Sequence, residues 1–440
     1  MSVVLISTYE LGRQPFGLAS PAAWLAGAGL DVRCVDLSRQ PFEPEYAEAD
    51  LVAFHLPMHM ATRLAVPVIA RIRRLNPDVE LCCYGLYAPL NDGFLRSVGV
   101  SHILGAEFEA DLLRLASGRP LTPAARGLPR LEFIKPLRAS LPPLTRYATL
   151  QQGTSRRIVG YTEASRGCKH TCRHCPIVPV YGGQFRVVSP EVVAADVAAQ
   201  VEAGAEHITF GDPDFFNGVG HARRVVETVA RRCPGLTYDV TIKVEHLLEH
   251  ADILPELRDT GCLFVTSAVE SFDDMVLQRL EKGHTRHDVE RAVDVCRRVG
   301  VPLVPTFIAF TPWTTCDAYR DFLVEIDRLE LVDHVAPIQL AIRLLVTAGS
   351  RLLDLGELRS RVGTYDEARL LYPWHYADSR VEQLAEDIGA VVGRHLTASR
   401  RTIFKEIWAR AHDGTTVPPF RHPVVKQRAE VPYLNEPWYC

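Results

Sequence analysis

Short apolar runs alternate with longer amphipathic stretches along the first 115 residues of the chain. The apolar runs are SVVLIST, DVRCVDL, LVAFHL and VELCCYG, and the amphipathic stretches are PAAWLAGAG and RLAVPVIARIRRLNP. This alternation predicts an α/β unit: a doubly wound parallel sheet with helices on both faces. Ligands bind at the carboxyl ends of the strands in such sheets, so we expect the polar turns at 7–17, 55–63 and 84–91 to form one rim.

A second alternating series occupies residues 155–349. Its apolar runs are YTEAS, EHITFGD, YDVTIKV, LFVTSAVE, PLVPTFIAF and HVAPIQLAIRLL. Six strands that alternate with helices predict a partial (β/α)6 barrel, whose chemistry would lie at the carboxyl ends of its strands. The proline-rich residues 116–154 predict a linker along the surface, and residues 350–440 predict a helical region with an irregular tail.

Composition and charge narrow the class of protein. The chain has 440 residues, a formal net charge of -4 and no basic block, so we expect two or three domains and no nucleic-acid partner. It has no leader-like start and no apolar run of about 18 residues, so we expect a cytoplasmic protein without a membrane segment. The eleven cysteines are scattered, which favours reduced thiols, so a tight group of them is typical of a metal site.

Three of the cysteines form such a group directly after the first predicted barrel strand. Cys168, Cys172 and Cys175 stand in the segment SRGCKHTCRHC, with the spacing Cys-x3-Cys-x2-Cys. Three thiolates can ligate three irons of a [4Fe-4S] cluster and leave the fourth iron open for a small molecule. The alternative is a zinc site, in which His170 or His174 supplies the fourth ligand.

This motif, with the order of the strands that follow it, resembles the radical S-adenosylmethionine (SAM) enzymes. In that family the open iron binds the amino nitrogen and carboxylate of SAM, and an electron from the cluster cleaves a carbon–sulfur bond to release a carbon radical. The resemblance implies that Cys168, Cys172 and Cys175 ligate a [4Fe-4S] cluster. It also implies a small-molecule substrate and an electron donor such as flavodoxin or ferredoxin.

The same resemblance suggests residues that bind SAM. Tyr181 and Phe185 follow the cysteine motif and could flank the adenine, with ordinary loop packing as the alternative. Asp212 and Asp214, in ITFGDPDFFN, stand where the family contacts the methionine ammonium. A turn or a helix cap is the alternative role of Asp214.

Two later strands carry further candidates. Thr241, Lys243 and Glu245 alternate in DVTIKVEHL, so we expect them on one face of the third strand. Lys243 and Glu245 could contact the SAM carboxylate and ribose, or form a salt bridge that holds the barrel together. Glu270 and Ser271, in SAVESFDDMVLQRLEKGHT, match the Glu-Ser of a segment shared by cobalamin-binding radical SAM proteins.

The fifth and sixth strands give weaker signals. TFIAFTPWTT keeps Pro312 of a family turn near the adenine but lacks its glycine. APIQLAIRLLV places Gln339 and Arg343 on one face of a sixth strand by alternation, as candidate substrate contacts.

The N-terminal sheet resembles the cobalamin-binding domain of related proteins, and GAEFEADL parallels a Gly-Glu-x-Glu segment of that domain. The chain lacks the Asp-x-His-x-x-Gly motif that places a histidine on cobalt. If cobalamin binds, His55, His59 or no side chain would occupy its lower face. The alternative is a sheet that binds no cofactor or that buries the substrate.

The stretch STYELGRQPFGLASPAAWL resembles a narrower subgroup, the CUAEP/CCAEP-tail radical SAM proteins, some of which are selenoproteins. Their tails end Cys-(Sec or Cys)-Ala-Glu-Pro. Cys440 matches the first cysteine of that tail, so we expect a selenocysteine codon directly after it in the gene. Cys440 is then a candidate catalytic thiol, and a free thiol without a role is the alternative.

The type of reaction stays open at this stage. With cobalamin, methylation of an unreactive carbon or phosphorus is favoured, and without it hydrogen abstraction by a 5'-deoxyadenosyl radical. Resemblance to relatives with another cysteine-rich tail adds transfer of a 3-amino-3-carboxypropyl group from SAM. A non-catalytic iron-sulfur or zinc sensor is the alternative from a different class.

Overall fold

A computed structural model of the protein describes residues 1–105, 107–121, 130–394, 398–413 and 431–435. The first unit is a five-stranded parallel sheet with the strand order β2-β1-β3-β4-β5. Its strands are β1 (Ser2–Ser7), β2 (Asp31–Asp36), β3 (Leu51–His55), β4 (Glu80–Tyr84) and β5 (His102–Ile103). Its helices are α1 (Phe16–Gly27), α2 (His59–Leu75), α3 (Tyr87–Leu90), α4 (Asp92–Ser97) and α5 (Glu109–Ala116).

Apolar residues on both faces of this sheet explain its architecture. One core lies between the sheet and α2, with Ile6 and Phe54 at its centre, and the other lies between the sheet and α1 with α5. Burial of strands on both faces is typical of parallel sheets covered by helices. The predicted doubly wound sheet is therefore confirmed.

The second unit is a curled sheet of seven strands in the order β13-β12-β11-β10-β7-β6-β14. The neighbouring strands from β7 to β13 are parallel, whereas β6 and β14 pair antiparallel at one edge. Two further strands, β8 and β9, form a separate hairpin. The strands are β6 (Thr149–Gln152), β7 (Ser155–Thr162), β8 (Ser165–Gly167), β9 (Phe185–Val187), β10 (His207–Phe210), β11 (Thr237–Thr241), β12 (Cys262–Glu270), β13 (Leu303–Phe307) and β14 (Tyr433–Leu434).

Helices cover the outer face of the curled sheet and continue beyond it. The largest apolar core of the molecule lies between this sheet and its helices. None of the described helices is both long and apolar enough to cross a membrane. They are α6 (Val178–Tyr181), α7 (Pro190–Glu202), α8 (Val219–Arg232), α9 (Val244–Glu249), α10 (Leu254–Asp259), α11 (Asp274–Leu280), α12 (Arg286–Val299), α13 (Cys316–Arg328), α14 (Gly356–Arg359), α15 (Ser379–Arg394) and α16 (Arg400–Ala411).

The predicted sixth barrel strand does not form. Residues Pro337–Leu340 make a 3-10 turn, and the only strand-like contact there is an isolated parallel bridge between Phe310 and Arg343, within the part of the chain described. Pro337 has no amide hydrogen to give to a neighbouring strand, which disfavours a regular ladder. The half-barrel therefore has five parallel strands and one bridge.

The described part of the predicted linker contacts both units, while residues 130–135 and 138–140 are partly or fully exposed. Leu137 donates its amide hydrogen to the carbonyl of Ala19 on α1. Arg138 donates to Asp196 on α7 at 2.7 Å, to Gln14 at 2.9 Å and to the carbonyl of Tyr161 on β7 at 2.7 Å. The linker thus fixes the N-terminal sheet against the half-barrel.

Candidate active site

The three motif cysteines lie on a loop at the carboxyl ends of the barrel strands. This loop, residues 168–177, is called the cluster loop below; it connects β8 to α6. Cys168 and Cys172 are buried and Cys175 is partly exposed. Asn217 fixes the start of the loop, because its Nδ2 donates to the carbonyl of Gly167 at 3.3 Å and its Oδ1 accepts from the Lys169 amide at 3.1 Å. Sequence reasoning missed Asn217, which lies 50 residues from Gly167.

Burial and neighbouring charges change the pKa values of these thiols. Burial raises the pKa of Cys168 to about 11 and that of Cys175 to about 12, and the negative charges of neighbouring thiolates add to the rise. The Lys282 ammonium acts in the opposite direction on Cys175. A bound metal would favour the thiolates, since a metal ligates only the deprotonated sulfur.

The donor set fits a cluster that is ligated by three cysteines. Seven further free cysteines are described, and they lie outside the cluster loop: Cys34, Cys82, Cys83, Cys233, Cys262, Cys296 and Cys316. His174 is engaged elsewhere, because its Nε2 lies 3.2 Å from Glu270 Oε1. The zinc alternative keeps one donor set, since atoms of Cys168, His170 and Asp214 lie within 4.8 Å of one another.

Asp214, just after β10, is the centre of a buried polar group beside the cluster loop. Its Oδ1 accepts from the amide of Phe216 at 3.2 Å, so it caps the 3-10 turn that follows. Its Oδ2 lies 2.6 Å from His246 Nδ1 and 3.4 Å from His170 Nε2. Burial alone would raise the pKa of Asp214, but the two imidazoles reverse this effect and hold the pKa below its usual value.

Lys243 and Glu245 lie beside this group, but not as the alternation predicts. The prediction that Thr241, Lys243 and Glu245 share one face of a strand is wrong, because β11 ends at Thr241 and α9 begins at Val244. The helical turn brings Lys243 Nζ to 2.5 Å from Glu245 Oε2, which is the salt bridge of the alternative prediction. Glu245 Oε2 also lies 3.7 Å from His170 Nδ1.

Glu270 ends β12 on the other side of the cluster loop. It has a left-handed backbone, with φ 70, where a register shift interrupts the pairing of β12 with β13. Its Oε1 accepts from Lys282 Nζ at 3.3 Å. Burial would raise the pKa of Glu270, but Lys282 and His174 lower it to about 2. Ser271 serves the next turn, because its hydroxyl accepts from the Asp273 amide at 3.0 Å.

The sequence of this segment matches a known profile. Residues 162–322 match the Radical SAM superfamily. Residues 162–322 are therefore similar to that superfamily and are called the radical SAM domain below. The match covers the cluster loop and all of the polar residues described around it, and it confirms the prediction of a [4Fe-4S] cluster and SAM as cofactors of this domain.

Relatives and solved structures extend the likeness beyond the radical SAM domain. Hopanoid C-3 methylase of Methylococcus capsulatus is 24% identical over 263 residues, which are 56% of this chain and 50% of that protein. The structure of the cobalamin-dependent SAM radical enzyme OxsB, with aqua-cobalamin and SAM bound, matches 93% of this chain and 71% of its own, with a TM-score of 0.69 and 13% identity. The structure of the methyltransferase TsrM from Kitasatospora setae, with cobalamin and a [4Fe-4S] cluster bound, matches 75% of this chain and 71% of its own, with a TM-score of 0.59 and 18% identity.

These comparisons confirm the fold class, including the N-terminal sheet in front of the radical SAM domain. The match covers 50% of hopanoid C-3 methylase, so the chain spans about half the length of that relative. Identities this low in the solved structures establish the fold and leave the reaction to argument from the site.

Asp212 and Tyr181 make hydrogen bonds within the protein beside the cluster loop, Asp212 inside the radical SAM domain and Tyr181 to the N-terminal unit. Asp212 accepts from the Ser165 hydroxyl at 2.5 Å and the Ala164 amide at 2.9 Å, and burial raises its pKa to about 7. The Tyr181 hydroxyl donates to Glu107 Oε1 at 2.9 Å. Both side chains are therefore committed to protein contacts, and Phe185 begins β9 in the hairpin with β8.

Gln339 and Arg343 do not share a strand face, and each contacts other residues of the protein. Because the sixth strand does not form, the prediction that they point together from it is wrong. Gln339 Oε1 accepts from the Phe307 amide at 2.9 Å. The Arg343 guanidinium pairs with Glu382 and lies 4.1 Å from the centroid of the Trp374 ring.

A cavity of about 250 Å³ lies between the N-terminal sheet and the cluster loop of the radical SAM domain. A corrinoid is larger than the drug-sized ligands whose pockets measure roughly 300–1,000 Å³, so it would extend beyond this cavity. His55 lines the cavity, and its ring contacts the backbone of Gly17, where an added Cβ would lie 2.0 Å from the ring.

Two other predicted residues lie away from this cavity or outside the described part of the chain. The Nε2 atom of His59 lies 2.7 Å from the carbonyl oxygen of Arg369. Cys440 lies outside the described residues.

Proposed function

We propose that the protein is a radical SAM enzyme that cleaves SAM reductively and uses the radical to modify a small molecule. One observation carries the proposal: three cysteines converge on one loop, and buried carboxylates from the ends of β10 and β12 lie on either side of it. A sensor needs no such set of carboxylates, whereas SAM offers them an ammonium and ribose hydroxyls. The match of residues 162–322 supports the same conclusion.

The residues around the cluster loop have separable roles in this proposal. Cys168, Cys172 and Cys175 would hold the cluster, which supplies one electron to SAM and so splits a carbon–sulfur bond. Asp214 stays ionised because His170 and His246 lower its pKa, so it can accept hydrogen bonds from an ammonium.

Two further groups complete the proposed SAM site. Glu270 stays ionised through Lys282 and His174, so it can accept hydrogen bonds from ribose hydroxyls. Lys243 is the nearby cation that a SAM carboxylate could share with Glu245. The single electron would come from a donor such as flavodoxin or ferredoxin.

Methylation is the reaction that the similar proteins support. One curated relative is a hopanoid methylase, and TsrM is a SAM methyltransferase. Both names are properties of those proteins, and we propose methyl transfer here on the strength of the shared fold. The two alternatives from the sequence, hydrogen abstraction and 3-amino-3-carboxypropyl transfer, predict different products from SAM.

Product analysis tests the proposal directly. The cluster would be reconstituted anaerobically, dithionite and SAM added, and the nucleosides identified by mass spectrometry, with and without hydroxocobalamin. S-adenosylhomocysteine that requires cobalamin, alone or together with 5'-deoxyadenosine, would support methyl transfer. 5'-Deoxyadenosine without S-adenosylhomocysteine would support hydrogen abstraction without methylation, and methylthioadenosine would support aminocarboxypropyl transfer. An intact cluster that yields none of the three would contradict the proposed enzyme and favour the sensor. Cys172→Ala is the control without a cluster, and Cys316→Ala is the matched cysteine control outside the loop.

A further inference from the structure

The cavity between the N-terminal sheet and the radical SAM domain has walls from both units. The turn after β1 contributes Glu10 and Arg13, and β3 contributes His55. The opposite wall includes Gly167, directly before the cluster loop, and Ile177, the last residue of that loop. A molecule in this cavity would therefore lie directly beside the segment that carries the motif cysteines.

Three polar atoms on the sheet side of this cavity are buried without a hydrogen-bond partner among the described residues. They are Glu10 Oε2, Arg13 Nε and His55 Nδ1. Glu10 and His55 are 8% and 7% exposed, and the two atoms nearest each other, Nδ1 and Oε2, are 3.6 Å apart, too far for a hydrogen bond. Buried polar groups in folded proteins nearly always have partners, so unpartnered ones in a cavity wall point to a ligand.

The charges in the wall are arranged as a pair of opposite sign. Arg166 and Glu163 also line the cavity, but they bind each other at 2.8 Å, and Arg166 also binds Glu109 at 2.7 Å. Arg13 lies 4.9 Å over the Tyr161 ring, a contact that holds a guanidinium in place and leaves its N–H edge able to donate. Glu10 offers carboxylate oxygens on the same wall. A ligand with one carboxylate and one ammonium would complement this pair.

Much of the remaining wall is apolar, although Ser165 and Tyr181 also line it, and the space is small. Apolar side chains that line it are Leu11, Phe16, Met58, Leu86 and Phe108. The volume of about 250 Å³ is just below the range of roughly 300–1,000 Å³ for drug-sized ligands, so it suits a molecule of amino-acid size.

We propose that this cavity binds the substrate, and that the substrate is an α-amino acid with an apolar side chain. The Arg13 guanidinium binds its carboxylate, Glu10 and His55 receive its ammonium, and the apolar wall receives its side chain. The assignment as substrate rests on the proposed radical SAM function, whereas the assignment as an amino-acid site rests on the cavity alone.

Isothermal titration of the reconstituted holoenzyme, under anaerobic conditions and without reductant, tests the site without requiring turnover. The probes are L-phenylalanine, L-leucine, L-methionine and L-tryptophan. For L-phenylalanine, the truncated analogues are phenethylamine, which lacks the carboxylate, and 3-phenylpropionate, which lacks the amine; for L-tryptophan they are tryptamine and indole-3-propionate. We expect at least one amino acid to bind at one per chain, and the two truncated analogues to bind about 10- to 100-fold more weakly, because each leaves a buried charged group unpaired.

Variants identify the cavity as the place of binding. Arg13→Gln and Glu10→Gln should each raise the Kd of the amino acid about 10- to 100-fold and leave the Kd of SAM unchanged. The matched controls Arg74→Gln and Glu45→Gln, both exposed, should bind as the wild type does. Iron content and SAM affinity of each variant report whether it folds, and the analogue series needs no variant.

Several results would overturn the proposal: no binding of any of the four amino acids, binding that ignores both cavity variants, loss of SAM affinity in those variants, or stoichiometric binding of hydroxocobalamin that displaces the amino acid. SAM cleavage by the same preparation separates the two hypotheses. Cleavage without amino-acid binding removes this inference alone, and amino-acid binding without cleavage removes the proposed function while the binding site stands.

Discussion

Arg166 and Glu109 form a buried, two-pronged ion pair that joins the two units of the molecule. Arg166 Nη2 donates to Glu109 Oε1 at 2.7 Å and Nη1 donates to Oε2 at 3.0 Å. Glu109 begins α5 of the first unit, and Arg166 lies on β8, two residues before Cys168. The orientation of the cluster loop is therefore tied to the N-terminal sheet.

We expect Glu109→Gln to lower the free energy of unfolding by about 3 kcal/mol, because it leaves a buried guanidinium short of negative charge. Urea denaturation of the two proteins measures the difference. The control is Asp92→Asn, which breaks an exposed pair with Arg96 and should cost less than about 1 kcal/mol. Equal effects of the two substitutions would show that the buried pair has no special role.

Removal of any one motif cysteine should abolish cluster binding. We expect Cys168→Ala, Cys172→Ala and Cys175→Ala to lose most of the iron and the visible absorption after reconstitution, because three ligands are the fewest that hold such a cluster here. Cys316→Ala should retain both, since Cys316 begins α13 away from the loop. Iron and sulfide assays provide the measurement, and retention of zinc in place of iron would favour the zinc alternative.

Asp212 should make the stability of the protein depend on pH between about 4 and 7. Burial raises its pKa from the ordinary 3.8 to about 7, although hydrogen bonds from Ser165 and Ala164 oppose the rise. The folded state thus binds this proton more tightly than the unfolded chain, so its contribution to stability is complete below about pH 4 and is lost as the pH rises through about 7.

Asp212→Asn cannot titrate, so its free energy of unfolding should fall less steeply over that interval than that of the wild type. Urea titrations at several pH values give both slopes, and Asp92→Asn controls for the loss of an ordinary exposed carboxylate. Parallel curves for wild type and Asp212→Asn would refute the prediction.

Gly283 should tolerate a side chain less well than a glycine of the same backbone conformation. Gly283 has φ +76 and an added Cβ would lie 1.9 Å from Glu245 Oε1, whereas Gly300 has φ +79 and open space around it. Gly300→Ala should therefore cost only the left-handed backbone, about 1 kcal/mol. Gly283→Ala should cost about 1–3 kcal/mol more and displace Glu245 from Lys243, with weaker SAM binding as the second readout. Equal destabilisation by the two substitutions would show that Glu245 moves aside freely.

Short sequence patterns predicted most of the strands and the position of the cluster loop. Alternation of apolar runs located four of the five strands of the first sheet and the parallel strands of the half-barrel, because a buried strand has the same pattern in any fold of this class, whereas the two-residue β5 is too short to show one. The cysteine spacing located the cluster loop for the same reason.

The errors occurred where alternation continued past the end of a strand. DVTIKVEHL reads as strand throughout, but α9 begins at Val244, because the Glu- and Leu-rich residues after it favour a helix. Lys243 and Glu245 are neighbours all the same, through a helical turn. At Gln339 the proline two residues earlier was the signal that a sixth strand would not form.

Contacts between distant segments had no local signal. His246 reaches Asp214 across 32 residues, and Arg166 reaches Glu109 across 57. Asp214 and Glu109 each had a sequence indication, Asp214 as a candidate SAM contact and Glu109 in the segment that resembles the Gly-Glu-x-Glu of related proteins, but neither indication named its partner. Such pairs follow from topology, which no short window contains.

Arg138 gives the molecule a property that neither sheet has alone. One guanidinium from the connecting segment satisfies Gln14 of the first unit and Asp196 and Tyr161 of the second. If either unit unfolded alone, the Arg138 guanidinium would stay partly buried against the other unit and would lose some of its hydrogen-bond partners. Unfolding of one unit alone is therefore unfavourable, whichever unit it is. Heating should therefore melt the two units in a single calorimetric transition, with equal calorimetric and van't Hoff enthalpies. The chain changes architecture at the boundary between the two sheets, and we expect the parts on both sides of that boundary to unfold together.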